Sequence, residues 1–168
     1  FVNNPPQFKS KKTFEFSIEK ANKILDEAGW AKGSDGIRAK DGKKLKFVFQ
    51  TSINAPRQKT QAIIKQACQK AGIDLELKSI VASVYFSSDV GNPDTYPKFY
   101  ADIQMFTTTQ PQPDPFVFLA QFNSANVATK ENKWQGRNYT RYRNPEYDKL
   151  HAAARGELDP VKRAAMLV

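Results

Sequence analysis

The sequence contains a single cysteine and a single histidine. Because a disulfide needs two cysteines, the chain cannot form one internally, which argues against a small disulfide-stapled domain. Cys68 and His151 together provide too few ligands for a zinc site, so we predict no metal site. No apolar run approaches the roughly 20 residues that cross a bilayer as a helix. These absences leave a globular domain with its own hydrophobic core.

Sequence motifs for catalysis are also lacking. The chain has no glycine-rich phosphate loop, no dinucleotide fingerprint and no G-x-S-x-G elbow. His151 has no candidate nucleophile nearby in the sequence, so we interpret it as a surface or half-buried side chain rather than a general base. No local pattern indicates a pair of carboxylates for hydrolysis, and a hydrolase stays a weaker alternative. We therefore predict a protein that is not an enzyme and needs no cofactor.

The formal charge of +9 is the strongest signal in the composition. It is typical either of a solvated basic surface or of a module that binds an acidic macromolecule such as nucleic acid. Lysines are scattered along the chain, and acids such as Glu19, Asp26 and Asp41 lie between them. This mixture favours a solvated surface over a nucleic-acid stripe. We expect no nucleic-acid partner, and a nucleic-acid-binding module remains the alternative function.

Apolar periodicity alternates along the chain between the repeat of a helix and that of a strand. Capping residues and glycine stops mark the predicted helix ends. The order predicts an α/β domain with a mixed sheet flanked by helices. The predicted strands are 45–49, 73–77 and 101–107. The predicted helices are 17–28, 56–71, 116–122, one beginning at Asn144-Pro145 and one at Asp159-Pro160, and residues 81–88 are predicted to form a short helix or a turn.

Two finer predictions concern the first half of the chain. Asp35-Gly36 and Asp41-Gly42 are turn dipeptides of hairpins, whereas the ligand spacing and closing glutamate of a calcium loop are absent. The second long helix is predicted to bury one apolar face. That face consists of Thr60, Ile63, Ile64, Ala67 and Ala71, with Cys68 at its border.

A polar stretch from Thr107 to Pro115 follows the third predicted strand and precedes a short helix. In open sheets, ligands gather where loops converge at the carboxyl ends of strands, and uncharged polar side chains suit hydrogen bonding to a polar solute. A rigid surface loop is the alternative. We predict that the site contains Thr107, Thr108, Thr109 and Gln110, joined from the predicted loop 50–56 by Gln50, Thr51, Ser52 and Asn54, with Arg57 as a partner for an acidic group.

Six segments, in order along the chain, resemble the family 5 extracellular solute-binding proteins, the peptide, dipeptide and nickel receptors of ABC importers. Each segment alone is short, and their agreement in order from about residue 17 to the end carries the resemblance. The segments are Ile18-Glu19-Lys20-Ala21 through Leu25-Asp26-Glu27-Ala28-Gly29-Trp30, Asp35-Gly36-Ile37-Arg38 through Asp41–Leu45, Gln66–Leu77 with Ala71-Gly72-Ile73-Asp74-Leu75 inside it, Asp114-Pro115 with Phe118 and Leu119, Arg141–Asp148, and Asp159-Pro160-Val161-Lys162-Arg163.

This resemblance implies a receptor of the type II periplasmic-binding-protein fold, whose two lobes close on a solute by hinge motion. Residues 17–168 would be the carboxy-terminal lobe, truncated at both ends, and residues 1–16 a connecting segment. The implied partners are a small peptide or peptide-like solute, the membrane permease of an ABC transporter and the missing amino-terminal lobe. The implied location is the periplasm, or another extracytoplasmic and membrane-associated setting.

The chain departs from the family pattern in the predicted ligand loop. Peptide-binding members usually carry a tryptophan and an acid after the third strand, and the acid pairs with the peptide's amino terminus. Here the stretch from Phe106 to Pro111 contains neither, and the first acid is Asp114, which matches a structural Asp-Pro. The resemblance therefore leaves the solute open between a peptide, a modified peptide, an opine-like conjugate and a sugar derivative.

Overall fold

A computed structural model describes residues 6–9 and 13–168 of the chain. The chain divides into two compact units, each with its own internal contacts. We call the first the sheet unit, which comprises Phe14–Ser87 and Tyr100–Phe106. The second, the helix–loop unit, comprises Phe1–Thr13, Ser88–Phe99 and Thr107–Val168, apart from the residues not described.

The sheet unit contains three helices and six strands. Local sequence explains the helix starts, since Ser17 and Asn54 each accept a hydrogen bond from a backbone N–H in the first turn of the helix that follows. The elements are α1 (Ile18–Glu27), β1 (Ala31–Lys32), β2 (Arg38–Lys40), β3 (Lys43–Lys44), β4 (Lys46–Ser52), α2 (Ala55–Lys70), β5 (Asp74–Ile80), α3 (Ala82–Tyr85) and β6 (Ile103–Met105).

A parallel sheet forms the centre of this unit, with β4 between β5 and β6. The register of β4 and β5 runs from Lys46 opposite Asp74 to Ser52 opposite Ile80, so the two strands end side by side. Helix α2 connects them and packs on both, as a crossover between parallel strands requires. Phe49 of β4 and Leu75 of β5 are the buried apolar residues of these two strands that are least exposed.

A separate antiparallel ribbon joins β1, β2 and β3. Gly36 and Gly42 adopt positive φ angles of 78° and 74° in the two connections, which confirms the predicted Asp-Gly turns. The predicted α/β class is confirmed. The antiparallel strand pairs, however, all lie in the ribbon, and the central sheet is entirely parallel, so neither sheet is mixed.

Arg38 ties the ribbon to the ends of both long helices. Its side chain is almost completely buried. Its Nη1 donates to Asp26 Oδ1 at 2.5 Å and to the Trp30 carbonyl at 2.6 Å, and its Nε donates to the Ala71 carbonyl at 2.9 Å. The hydrogen bond from Arg38 holds the pKa of Asp26 below its usual value. A buried guanidinium thus has acceptors on several sides, as burial of a charge demands.

The helix–loop unit contains short helices separated by irregular segments. Asn144 and Asp159 cap its two longer helices, and a proline follows each cap as predicted. The elements are a 3₁₀ turn at Pro6–Phe8, α4 (Phe116–Leu119), 3₁₀ turns at Ala120–Phe122 and Ser124–Asn126, α5 (Pro145–Gly156) and α6 (Pro160–Leu167). Its apolar cluster contains Phe8, Ala154, Ala164 and Leu167.

The predicted connecting segment 1–16 lies partly outside the described residues, which omit 1–5 and 10–12. In the described part, Phe8 is buried against α5 and α6. The assignment of 1–16 as a connector and 17–168 as a lobe stays a prediction. None of the helices in the described parts of the chain has the length and apolarity that a bilayer-spanning helix needs.

Two local predictions in the sheet unit were wrong. Gln50, Thr51 and Ser52 continue strand β4 instead of opening a loop, because their backbones pair with β5 and β6. In α2, Gln61 is the buried residue and Ile63 is exposed. The predicted face of α2 followed apolar side chains, whereas the sheet packs against the face of Gln61, whose Nε2 donates to the Phe49 carbonyl at 2.8 Å.

His151 is also buried rather than on the surface. Its ring stacks on Phe116 at a centroid distance of 4.2 Å, and its Nε2 lies 2.9 Å from the Phe116 carbonyl oxygen. Because a carbonyl oxygen only accepts, Nε2 carries the proton. His151 therefore holds α4 against α5, and it has the partners of a structural histidine.

Candidate functional site

The carboxyl end of the parallel sheet brings together several of the predicted site residues within the sheet unit. Ser52 is the last residue of β4, Asn54 caps α2, and Arg57 lies in the first turn of that helix. The first turn of α2 carries no acidic residue. This edge therefore places a cation next to the strand ends, at a helix N-terminus without an acidic side chain, and the local charge favours an anionic group.

Arg57 is oriented by two neighbours. Its Nη1 donates to Ser52 Oγ at 2.6 Å, and its guanidinium carbon lies 5.9 Å from the centroid of the Phe86 ring. Its backbone N–H donates to Asn54 Oδ1 at 3.2 Å. A guanidinium held by a hydroxyl and an aromatic face loses less side-chain freedom when it binds a carboxylate. A role for Arg57 as the partner of an acidic group stays a prediction.

Gln50 and Thr51 are buried in the centre of the sheet. Gln50 Nε2 donates to Gln104 Oε1 at 3.0 Å, and Thr51 Oγ1 donates to the Met105 carbonyl at 2.6 Å. Both bonds link β4 to β6, so these side chains fix the position of the third strand. A role in contacting a solute stays a prediction for both residues.

The other predicted site residues, Thr107 to Gln110, belong to the helix–loop unit. The three threonines are exposed, and Gln110 is half-buried. Gln110 Nε2 donates to the carbonyls of Gln112 at 2.9 Å and Pro113 at 3.3 Å, which folds the loop back on itself. The loop therefore presents three hydroxyl groups on a backbone braced by Gln110.

Asp114 closes the same loop. Its carboxylate forms an ion pair with both terminal nitrogens of Arg163, and its Oδ1 accepts the Phe116 N–H at 2.8 Å. The hydrogen bond from Arg163 lowers the pKa of Asp114. Both carboxylate oxygens of Asp114 therefore already accept hydrogen bonds. Asp114, the first acidic residue after β6, links the loop to Arg163 of α6 and has a structural role.

Sequence reasoning missed Phe86. It follows α3, its ring meets Tyr85 edge-on at 4.9 Å, and it supports Arg57. Its place shortly after β5, on the same sheet edge as the residues after β4, was the available signal. Among the residues that the structure describes, no group of three histidine, cysteine or acidic side chains is arranged to hold a metal ion.

Solved structures with the same arrangement of elements define the class of fold. An oligopeptide-binding protein from Thermus thermophilus, solved with a pentapeptide, matches 96% of this chain and 28% of its own, with a TM-score of 0.77 and 28% identity. The Bacillus subtilis oligopeptide-binding protein AppA, solved with a nonapeptide, matches 98% of this chain and 30% of its own, with a TM-score of 0.72 and 25% identity. The chain thus has part of a type II periplasmic-binding-protein fold.

The family follows from the sequence match. The profile of the bacterial extracellular solute-binding proteins, family 5 Middle, matches residues 1–140, and the chain belongs to this family. Over 148 residues it is 29% identical to AppA, covering 87% of this chain and 25% of AppA. The chain therefore spans about a quarter of the length of this curated relative. The predicted family is confirmed, and the match favours a solute receptor over a nucleic-acid-binding module.

Proposed function

We propose that the chain is part of an ABC importer's solute receptor, which captures a peptide or peptide-like polar solute outside the cytoplasm and delivers it to the membrane permease. The observation that carries this proposal is the match of nearly the whole chain, in sequence and fold, to an oligopeptide-binding protein solved with a pentapeptide. The relatives named above are binding proteins, and members of the family are extracellular. A role in binding rather than catalysis is therefore part of the proposal.

The sheet unit would recognise the acidic end of the solute. Arg57 is the proposed partner of a carboxylate, Asn54 caps the helix from which it extends, and Ser52 acts by orienting the guanidinium. Gln50 and Thr51, which are buried, would support this edge through their bonds to β6.

The exposed hydroxyl groups of Thr107, Thr108 and Thr109 are proposed to bind polar groups of the solute, with Gln110 bracing their loop. Because Asp114 is paired with Arg163, we propose that it does not bind a free α-amino group of the solute. The proposal therefore favours solutes recognised by their acidic end and by neutral polar groups.

A receptor of this kind binds tightly only when both of its lobes enclose the solute, because closure requires contacts from each lobe. We expect the 168-residue chain to bind solute weakly or undetectably in titration calorimetry. The longer receptor that contains it should copurify with its solute, and mass spectrometry after gentle purification would identify the molecule. Tight binding by the short chain, or a receptor that binds no small solute, would contradict the proposal.

Arg57→Gln in the longer receptor tests the proposed contact. A peptide with a free carboxyl terminus should lose about tenfold to a hundredfold in affinity, since a charge-assisted hydrogen bond is removed. The same peptide with a terminal amide should bind both receptors alike. Arg155→Gln is the matched control, because Arg155 is an exposed arginine of α5 in the other unit. Equal losses for acid and amide peptides would exclude Arg57 as the carboxylate partner.

A further inference from the structure

The ends of the two long parallel strands carry exposed apolar side chains. Ile53 follows β4 and Val81 follows β5, and they are 53% and 56% exposed. The Ile53 N–H donates to the Ile80 carbonyl at 2.7 Å, which keeps the two chain segments side by side beyond the sheet. Strand residues usually turn apolar side chains inward, so a neighbouring isoleucine and valine at one edge form a local apolar surface.

Phe86 is a third partly exposed apolar side chain of this unit, and it lies next to Arg57. Its ring is 43% exposed, although it meets Tyr85 edge-on and lies beneath the Arg57 guanidinium. Ser52 binds the same guanidinium at the end of β4. Arg57 therefore connects the strand ends to Phe86, and the edge combines one oriented cation with three partly exposed apolar side chains.

We propose that Ile53, Val81 and Phe86 form an apolar subsite that receives the side chain of the same solute residue whose carboxylate binds Arg57. The inference rests on the function proposed above, and it names a narrower class of solute. A carboxylate and a hydrocarbon side chain must lie within a few ångströms of each other to reach both parts of this edge. The carboxy-terminal residue of a peptide meets this requirement, since both groups branch from one Cα atom. The preferred solute ends in an aromatic or branched aliphatic residue.

The 168-residue chain allows a direct test with a small probe, 3-phenylpropionate, followed by the chemical shifts of methyl groups. The ring and carboxylate should together shift the Ile53 and Val81 signals. Half-maximal shift should come at a concentration about tenfold lower than for propionate, which lacks the ring, because phenyl burial adds apolar contact. The uncharged 3-phenylpropanamide should also bind more weakly than the acid.

Substitutions locate the probe. Val81→Ser should weaken the response to 3-phenylpropionate by about threefold to tenfold and leave the propionate response unchanged. Phe86→Ala also removes the ring beneath Arg57, so it should weaken both responses, and the response to 3-phenylpropionate more than that to propionate. Ile63→Ser is the matched control, because Ile63 is 67% exposed on α2 in the same unit but lies in the middle of the helix. Shifts that centre on Ile63, or that are the same for all three probes, would overturn the subsite.

The longer receptor tests the subsite with peptides. Ala-Ala-Phe should bind about tenfold more tightly than Ala-Ala-Gly, and Phe86→Ala should remove most of this preference. Equal losses for the two peptides, or a lower melting temperature with an unchanged preference, would overturn the subsite and indicate that other parts of the receptor cover the edge. If the receptor binds neither these peptides nor any other small solute, the proposed function fails, and the probe titration on the short chain still decides the subsite.

Discussion

The sheet unit and the helix–loop unit satisfy their buried backbone groups in different ways. In the sheet unit, parallel strands pair with each other over seven registered positions of β4 and β5. In the helix–loop unit, side chains donate hydrogen bonds to the backbone carbonyls in place of a neighbouring strand. Lys98 Nζ donates to the carbonyls of Val90 at 2.5 Å and Asn92 at 2.7 Å, and Arg141 donates to those of Lys98 and Phe99.

Asn138 shows the same principle at the centre of the helix–loop unit. Its side chain is almost completely buried, and its Nδ2 donates to the carbonyls of Phe122, Asn123 and Tyr142 at 2.8 to 3.1 Å. Buried carbonyls must be paired, and irregular backbone offers no ladder to pair them. We therefore expect the sheet unit to tolerate single side-chain substitutions better than the helix–loop unit, which depends on a few polar side chains. A substitution that disturbs the buried charge of Arg38 is the exception.

A substitution beside the buried charge of Arg38 should cause the largest loss of stability. Gly72 has a φ angle of 81°, and a Cβ atom there would lie 2.6 Å from Arg38 Cγ. Gly72→Ala should therefore cost about 4 kcal/mol, because it strains the backbone and displaces a buried guanidinium from its acceptors. Denaturant unfolding measures the loss, and hydrogen exchange should show it in the amides of the sheet unit.

Gly36→Ala is the matched control for this prediction. Gly36 has a φ angle of 78° in the same unit, but no atom lies within 4 Å of the position its Cβ would take. It should cost only about 1 kcal/mol, the strain of the left-handed backbone. Similar losses for both variants would show that Arg38 is not the sensitive point of the sheet unit.

Asn138→Ala gives the next largest effect and should confine it to the helix–loop unit. The substitution leaves three partly buried carbonyls without this donor, so we expect a loss of about 3 kcal/mol. Hydrogen exchange should accelerate in residues 120–142 while the amides of β4 and β5 keep their protection. Gln135→Ala, at an exposed position, is the control. Equally faster hydrogen exchange in both units would contradict the view that Asn138 stabilises only the helix–loop unit.

Acid should weaken the helix–loop unit by a smaller amount through Asp114. Arg163 lowers the pKa of Asp114 below its usual value of 3.8. The ion pair therefore adds stability that is fully present above that value and is lost as the pH falls through the lower folded-state pKa. The side chain is 36% exposed, so solvent screens the pair and the effect should be modest.

Asp114→Asn separates this contribution from general acid unfolding. The variant should be less stable than the parent at pH 7, and the difference between them should shrink towards pH 3 as the parent carboxylate is protonated. Unfolding curves at a series of pH values measure it. A difference that stays constant with pH would show that the pair does not link stability to protonation.

Part of the candidate site was predictable because it depends on local chemistry. Asn54 was predicted as a site residue between a strand and a proline-containing helix start, and it also caps that helix. The sequence also placed Gln50 and Thr51 in a predicted loop. It could not show that they bond across to β6, since their partners at Gln104 and Met105 are more than 50 positions away in sequence.

Phe86 and His151 illustrate the same limit. Phe86 lay within the predicted segment 81–88 and had no predicted role, and His151 was predicted to be a surface or half-buried side chain. Phe86 is partly exposed beneath Arg57, while His151 is buried on Phe116. Both outcomes depend on residues from other elements, so no window of sequence around either position carries the information.

The sequence by itself determined the helix starts, the Asp-Gly turns, the alternation of helix and strand, and the family resemblance. These features follow from the φ preferences, capping groups and apolar spacing of neighbouring residues. Only the tertiary structure decided that Asp114 forms an ion pair with Arg163 and that Ser52 and Phe86 orient Arg57. The reason is that hydrogen bonds and ring contacts are satisfied in space, where residues distant in the chain compete for the same atoms.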